Sequence, residues 1–374
     1  MNILLYSWYF FPTEIGGLEK YLYNLTESLK RDHNVILFIS KENHIKIKDV
    51  KIYYIPTLKT QIATFDIFSQ IISITLLLPY IIIKEKIDLV STYVPTTNST
   101  LVLFISKLMK IKNIINIRGY RPNLSLFRRI TGDIGLIFTN NIFVNSKDFK
   151  ERYIKQSFLP KSFINKKIWT FIPNGIILKF WEKEININKK IYDIIFVGHL
   201  KPKYRFVAKG FDVLYKALVK INKDYNLKLK VVVLGPYDIE LIKSEIPNVD
   251  LSYFEFHGMV KNKKTVREFY NLSKIYVLSS THEGMPNSLM EAMAVGIPCI
   301  ASNVGAVSEL IDNKNNGFIF PNRDYIELSK IILKLLNDLQ LREKISKAAQ
   351  IKIRNNFSWD IIIKRLIRHY KYLK

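Results

Sequence analysis

Short apolar runs alternate along this chain with longer amphipathic stretches. The runs at Asn2–Tyr9, Val35–Ser40, Asn113–Ile117, Ile142–Ser146 and Val231–Gly235 have the length of buried strands. After the first, Leu18, Tyr21, Leu22, Leu25 and Leu29 recur at close to helical spacing, which predicts a helix over 18–30. Further strands are read at Asp88–Val90, in IYDIIFVGHL ending at Gly198, and in YFEFHG ending at Gly258, with a helix near Thr265–Asn271. Strands alternating with helices point to βαβ units and parallel sheets.

The most informative stretch is Ser279–Ile311. The run IYVLSS before it reads as a strand, and Gly284 and Pro286 punctuate the loop that follows. Leu289, Ala292 and Met293 then mark a helix, which Gly296 and Pro298 end. PCIAS follows at once as another strand. Glu283 lies in the loop and Glu291 in the helix, eight positions on. A helix N-terminus offers N–H groups and a positive dipole end to phosphate, and carboxylates accept hydrogen bonds from a vicinal diol. That chemistry suits a sugar nucleotide, although spacing alone fits an ordinary solvated pair of glutamates equally well.

Two other stretches stand out by pattern. Ile67–Ile83 is apolar and uncharged but contains Ser69, Gln70, Ser73, Thr75 and Pro79, so it reads as a buried or partly interfacial helix rather than a membrane span. From Gly317–Pro321 the chain reads as amphipathic helix to about Arg354. FSWDIIIKRLIRHYKYLK then closes it, with Lys364, Arg365, Arg368 and Lys371 on a basic face that suits solvent or a membrane surface.

Glu283–Gly284–Met285–Pro286–Asn287, Glu291–Ala292–Met293–Ala294, Gly296, Pro298, Gly305 and Glu309 together resemble the Glu-x7-Glu signature of retaining glycosyltransferases in family 4. The resemblance implies an α/β fold of the GT-B architecture, two Rossmann-like parallel-sheet domains facing across a cleft. It implies that Glu283 approaches the donor hexose, Glu291 holds the ribose and the Gly284–Asn287 backbone binds the diphosphate. Gly16–Gly17–Leu18–Glu19 is similar to the family's first-domain loop at the diphosphate, and Gly258, Met259 and Val260 to the segment that meets the nucleobase. Lys209 before Gly210 matches the family's diphosphate cation.

The chain also departs from that pattern. His199 stands where Arg is usual, leaving Lys201, Lys203 or Arg205 in a lengthened loop to complete the diphosphate clamp. Ser91–Thr92–Tyr93 lacks the His often found there. Arg118–Gly119 replaces the usual His–Gly, and a guanidinium stays protonated, so Arg118 suits an anion rather than general-base work.

Turn chemistry in Ile172–Ile176 predicts domains at 1–172 and 173–355, with 356–374 crossing back to the first. The 374 residues carry a net charge of +25, which favours anionic partners. Lys107, Lys110, Lys112, Arg118, Arg121, Arg128 and Arg129 lie in a window free of acids, and 147–167 is nearly as basic. No zinc-finger, RNA-recognition or basic-zipper pattern accompanies the charge, so no nucleic-acid partner is expected. The single cysteine, Cys299, excludes a disulfide framework, and no leader is read at the start. Absence of G-x-G-x-x-G and Walker patterns argues against nicotinamide and phosphate-loop chemistry. No Asp-x-Asp occurs, so no metal or other cofactor is expected.

The expectation is therefore a retaining, metal-independent hexosyltransferase. It would be cytoplasmic or peripheral at the inner face of the membrane, acting on a glycan or lipid-linked glycan in surface polysaccharide synthesis. Catalytic roles would fall on Glu283, Arg118 and Lys209. A degenerate sugar-nucleotide-binding protein and a basic nucleic-acid-binding protein are the alternatives.

Overall fold

The computed structural model describes residues 1–8, 17–40, 45–56, 63–93, 95–118, 126–182 and 190–373. The chain divides into two compact units, Met1–Gly175 with Asp360–Lys374, and Ile176–Trp359. In chain order the first unit contains β1 (Asn2–Ser7), α1 (Gly17–Leu29), β2 (Asn34–Ser40), β3 (Lys51–Ile55), α2 (Ala63–Lys84), β4 (Leu89–Tyr93) and α3 (Thr97–Leu108). It continues with β5 (Lys112–Ile117), α4 (Leu126–Ile137), β6 (Asn141–Val144), α5 (Phe149–Ile154), α6 (Lys161–Asn165) and β7 (Ile168–Phe171). All seven strands pair in parallel in the order β3-β2-β1-β4-β5-β6-β7.

Strands with apolar residues on both faces need cover on both sides. On one side α2, α3 and α4 lie next to one another. Ile74, Leu78 and Ile81 of α2 are fully buried against Tyr6 and Phe38, and Leu103 and Leu136 are buried with Ile115 and Ile142.

The second unit contains α7 (Leu178–Trp181), β8 (Tyr192–Val197), α8 (Lys203–Lys209), α9 (Phe211–Tyr225), β9 (Val231–Leu234), α10 (Ile239–Glu245), β10 (Phe254–Phe256) and α11 (Lys263–Leu272). Next come β11 (Ser273–Leu278), α12 (Asn287–Val295), β12 (Cys299–Ser302), α13 (Val307–Leu310), β13 (Phe318–Phe320), α14 (Tyr325–Asn337) and α15 (Leu339–Phe357). Its six parallel strands follow the order β10-β9-β8-β11-β12-β13. One core joins β8 and β9 to α9 and α14 through Phe196, Phe211, Leu214 and Leu328; another joins α12 to α15 through Met290, Met293 and Ile353. The final helix, α16 (Trp359–Lys371), returns the chain to the first unit, where Tyr370 stacks on Phe143 at 6.1 Å.

The sequence reading differs from this structure in three places. The stretch read as a lengthened loop around Lys203–Lys209 is helix α8, because it buries Phe206 against Phe211, with ring centres 5.9 Å apart. The long helix read to Arg354 is two helices, broken at Asp338, whose carboxylate caps the second by accepting from Leu341 N. Strands β3 and β7 extend both edges of the first sheet.

Cys299 opens β12 with no exposure, and its thiol donates to Ile297 O at 3.1 Å. Burial pushes the thiol well above its usual range. A thiol reagent should therefore label the native chain about 1,000-fold more slowly than the unfolded chain. Rapid native labelling would show that this core opens.

Candidate functional site

β8 and β11 are hydrogen-bonded neighbours, yet β9 follows β8 on one side and β12 follows β11 on the other. Connections leave this pair in opposite directions, so a crevice opens beyond the carboxyl ends of the two strands. Gly198 and His199 follow β8 there, and Ser279–Glu283 follow β11.

Lys209 and Glu283 meet in this position. Lys209 Nζ lies 2.6 Å from Glu283 Oε1, with the side chains 24% and 13% exposed. Ser280 Oγ donates to the same carboxylate oxygen at 2.8 Å. The lysine stem runs close past Gly198, where a β-carbon would come within 3.3 Å of Lys209 Cδ. Gly210, left-handed at φ 59°, ends α8 and starts α9. Ser279 Oγ donates to Gly210 O at 2.8 Å and Thr281 N to Ala208 O at 2.8 Å, so the chain after β11 is fastened to the α8–α9 corner.

Beyond Glu283, Gly284 and Asn287 are half-buried, and Met285 and Pro286 are buried. Ala306 N donates to Gly284 O at 2.8 Å, which pins the loop from below. Pro286 holds the cap position of α12 and makes no side-chain capping bond there. Glu291 lies in the second turn of α12, half-buried, with Tyr270 Oη 3.5 Å from its carboxylate. Tyr270 also donates to Ser288 O at 3.1 Å, and Tyr276 to Ser288 Oγ at 2.8 Å. Burial pushes both phenols well above their usual range, and for Tyr270 the charge of Glu291 adds to the effect.

Gly258, Met259 and Val260 follow β10. Gly258 O accepts from Gly235 N at 2.7 Å, Met259 is exposed and Val260 half-buried. His257 beside them is engaged with the fold: its Nε2 lies 2.7 Å from Glu255 Oε1 and its ring 4.5 Å from that of Phe269. The hydroxyl of Tyr192 is the main cause that holds the Glu255 carboxyl down at about 2, His257 and Lys230 adding to it. His199 is half-buried after β8. Among the cations of α8 and its approach, Lys201 is exposed, Lys203 pairs with Glu245 at 2.6 Å, and Arg205 Nε donates to Tyr204 Oη at 3.1 Å.

In the first unit Arg118 follows β5. Its guanidinium stacks on Tyr21 of α1, 3.5 Å from the ring centre, and donates to Tyr21 Oη at 2.6 Å and to Asn174 Oδ1 at 2.9 Å. Arg118 Nε is buried and meets no acceptor among the described residues. Beside it, Ser91 and Thr92 are buried at the end of β4, and Asn116 Nδ2 donates to Ser91 Oγ at 2.9 Å. Gly17 opens α1. Gly16, Gly119 and Arg121 lie outside the described residues.

The second unit thus brings Lys209, Glu283, the Gly284–Asn287 loop and Glu291 to the switch-point end of one sheet. Sequence reasoning missed Ser280, Tyr270, Tyr21 and Asn174. Ser280 carried a weak signal, a hydroxyl three positions before a loop carboxylate. The other three meet their partners only through the fold.

Two parallel-sheet Rossmann-like domains in one chain define the GT-B architecture, and the class is glycosyltransferase. More particularly, residues 179–352 match the family described as Glycosyl transferases group 1, so the second unit carries a group 1 domain. Several relatives extend over most of the chain, two of them as follows. The capsular polysaccharide biosynthesis glycosyltransferase CapM of Staphylococcus aureus is 25% identical, over 91% of this chain and 90% of its own. The UDP-Gal:alpha-D-GlcNAc-diphosphoundecaprenol alpha-1,3-galactosyltransferase of Escherichia coli is 24% identical, over 85% of this chain and 82% of its own. Among solved structures, Anabaena HepE in complex with UDP aligns over 100% of both chains with a TM-score of 0.76 at 16% identity, a likeness of fold.

Proposed function

We propose that this glycosyltransferase moves a hexose or N-acetylhexosamine from a nucleotide diphosphate sugar to a hydroxyl of a glycan acceptor, with retention at the anomeric carbon. The observation that carries the reading is the Lys209–Glu283 pair at the switch point of the second sheet, inside the group 1 domain. A free ammonium and a free carboxylate are what a diphosphate and a sugar hydroxyl each require. Here they neutralise one another until a donor separates them.

In this reading the donor diphosphate takes Lys209 and the N–H groups of the Gly284–Asn287 turn at the α12 N-terminus. Glu283 turns to the hexose, Glu291 accepts from the ribose diol, and Gly258–Val260 meet the base. His199 lines the donor side. As the anomeric C–O bond to the diphosphate breaks, negative charge grows on the leaving oxygen, and Lys209 and the helix dipole answer it. The acceptor oxygen attacks from the same face and its proton passes to the leaving phosphate. The Arg118 guanidinium takes an anionic group of the acceptor. Protein cations stand in for a divalent ion.

The acceptor we propose is a lipid-linked glycan of surface polysaccharide synthesis, a reading supported by what the two relatives are named for. Binding without transfer is the second reading, favoured by the missing His at the end of β4 and by an Arg118 already engaged with Tyr21 and Asn174.

The test is a thermal-shift panel of nucleotide diphosphate sugars, each with and without chelator. A donor at one hundred times its dissociation constant should add about 2.7 kcal/mol, and the shift should survive chelator. No response to any donor would remove the reading. A response lost with chelator would remove its metal-independent form.

A further inference from the structure

Helix α2 buries one apolar side and leaves another in solvent. Ile74, Leu78 and Ile81 face the sheet with no exposure, whereas Phe65, Phe68, Ile72, Leu76, Tyr80 and Ile83 are 45% to 71% exposed. Steps of three and four residues keep these six on one line along a helix of 22 residues, about 33 Å long. The neighbouring α3 adds exposed Phe104 and Leu108. Beside it, α4 repeats the pattern, with Leu126, Ile130, Ile134 and Ile137 spaced by four, four and three and 39% to 61% exposed.

A helix that faces water normally carries polar residues on its outer stripe. These three present large apolar side chains there instead, totalling on the order of 1,000 Å², beyond what a monomer commonly leaves bare.

Charge frames the face. Lys84, Lys86, Lys107, Lys110 and Lys112 are exposed at or just past the carboxyl ends of α2 and α3. Lys84 Nζ donates to Tyr80 Oη at 2.9 Å and lies 5.1 Å from its ring centre, a cation tethered to the end of the apolar line. The only acids in the three helices are Asp66, in the first turn of α2, and Asp133, which is buried and accepts from Tyr153, Ser157 and Phe158. Glu85 is buried and taken by Lys51 and Tyr53. The helix does not pass through a bilayer: it is the crossover from β3 to β4, and its inner side is core.

We propose that the outer face of α2, α3 and α4 docks on a lipid bilayer bearing anionic headgroups. The apolar lines enter the boundary between headgroups and acyl chains, and the lysines take the lipid phosphates. A bilayer fits better than a second protein because the apolar lines and the lysines lie in adjoining zones, as in the layers of a membrane surface. The inference is independent of sugar transfer, and its test uses no activity.

The full chain is floated with vesicles of phosphatidylcholine alone, and with one part phosphatidylglycerol to two parts phosphatidylcholine. Partition should be about tenfold stronger into the anionic vesicles and should weaken as salt rises. Leu76→Glu combined with Ile83→Glu should lower it about tenfold or more at an unchanged melting temperature, since both side chains are exposed. Lys110→Glu with Lys112→Glu should remove the preference for phosphatidylglycerol. Tyr225→Glu, an exposed apolar site in the second unit, should leave partition unchanged. Absence of binding to either vesicle overturns the proposal, as does undiminished binding by the Leu76/Ile83 variant. A dimer in sedimentation that this variant dissociates, without vesicle binding, would assign the face to a second copy and overturn it equally.

Discussion

Lys209→Met should lower kcat/KM for sugar transfer about 100- to 1,000-fold, with donor affinity falling about tenfold and the rest of the loss in kcat. The split follows from where charge develops. A donor diphosphate is already anionic when it binds, so removing a cation weakens binding. The leaving oxygen gains further charge as the anomeric bond breaks, so the same cation matters more in the transition state. Methionine keeps most of the stem that runs past Gly198 and removes only the ammonium.

The fold should survive this substitution. Glu283 would keep its bond from Ser280 Oγ at 2.8 Å, and the fastening of Ser279 and Thr281 to the α8–α9 corner does not involve the ammonium. Glu283→Gln is the partner experiment. It keeps the hydrogen bonds and loses the charge, so kcat should fall while donor affinity holds or rises, because the lysine no longer has to leave a carboxylate. Calorimetric titration of the donor with steady-state rates would separate the two. A Lys209→Met turnover within about threefold of the native chain would remove the lysine from the chemistry.

How much of this was legible in the sequence depended on the range over which each feature is decided. The strand–loop–helix–strand unit around Glu283 and Glu291 was legible because its signals are local: an apolar run, Gly and Pro punctuation, then helical spacing up to Gly296. Strand β3, KIYYI, is half-buried at a sheet edge, and β7, IWTF, forms the opposite edge, so neither shows the continuous apolar run of a central strand. Pro202 and the charges of KPKYR masked α8; the deciding residue was Phe206, whose burial against Phe211 outweighs them.

Composition showed that α2 was apolar but not that its two sides would meet different surroundings, because that is settled by the sheet it crosses. Arg118 could be picked out as a cation at a strand end. Its partners Tyr21 and Asn174 lie 97 and 56 positions away, and no periodicity reports contacts of that range.

Gly210→Ala should be among the most damaging single-methyl changes in the second unit. Gly210 is left-handed at φ 59°, which costs an alanine about 1–2 kcal/mol. The added carbon would also lie 2.0 Å from Ser279 O, a backbone atom that no rotamer change can move. One of the two chain segments must therefore give way, and both belong to the switch-point end of the sheet. Moving Ser279 breaks its bond to Gly210 O and shifts Ser280 and Glu283; moving the corner shifts Lys209. Strain and lost bonds together should cost about 3–5 kcal/mol, or roughly 10 °C in the melting of this unit, and should abolish donor-induced stabilisation. Scanning calorimetry is the suitable measurement, because two units need not melt as one. Gly258→Ala supplies the contrast. It has a similar φ of 62° but only one atom near the added carbon, Tyr237 Cε1 at 4.0 Å, so it should cost about 1–2 kcal/mol for backbone conformation alone. Equal losses in the two variants would mean that the corner yields freely. Lys209 and Glu283 would then owe their 2.6 Å approach to their own attraction rather than to the Gly210–Ser279 contact.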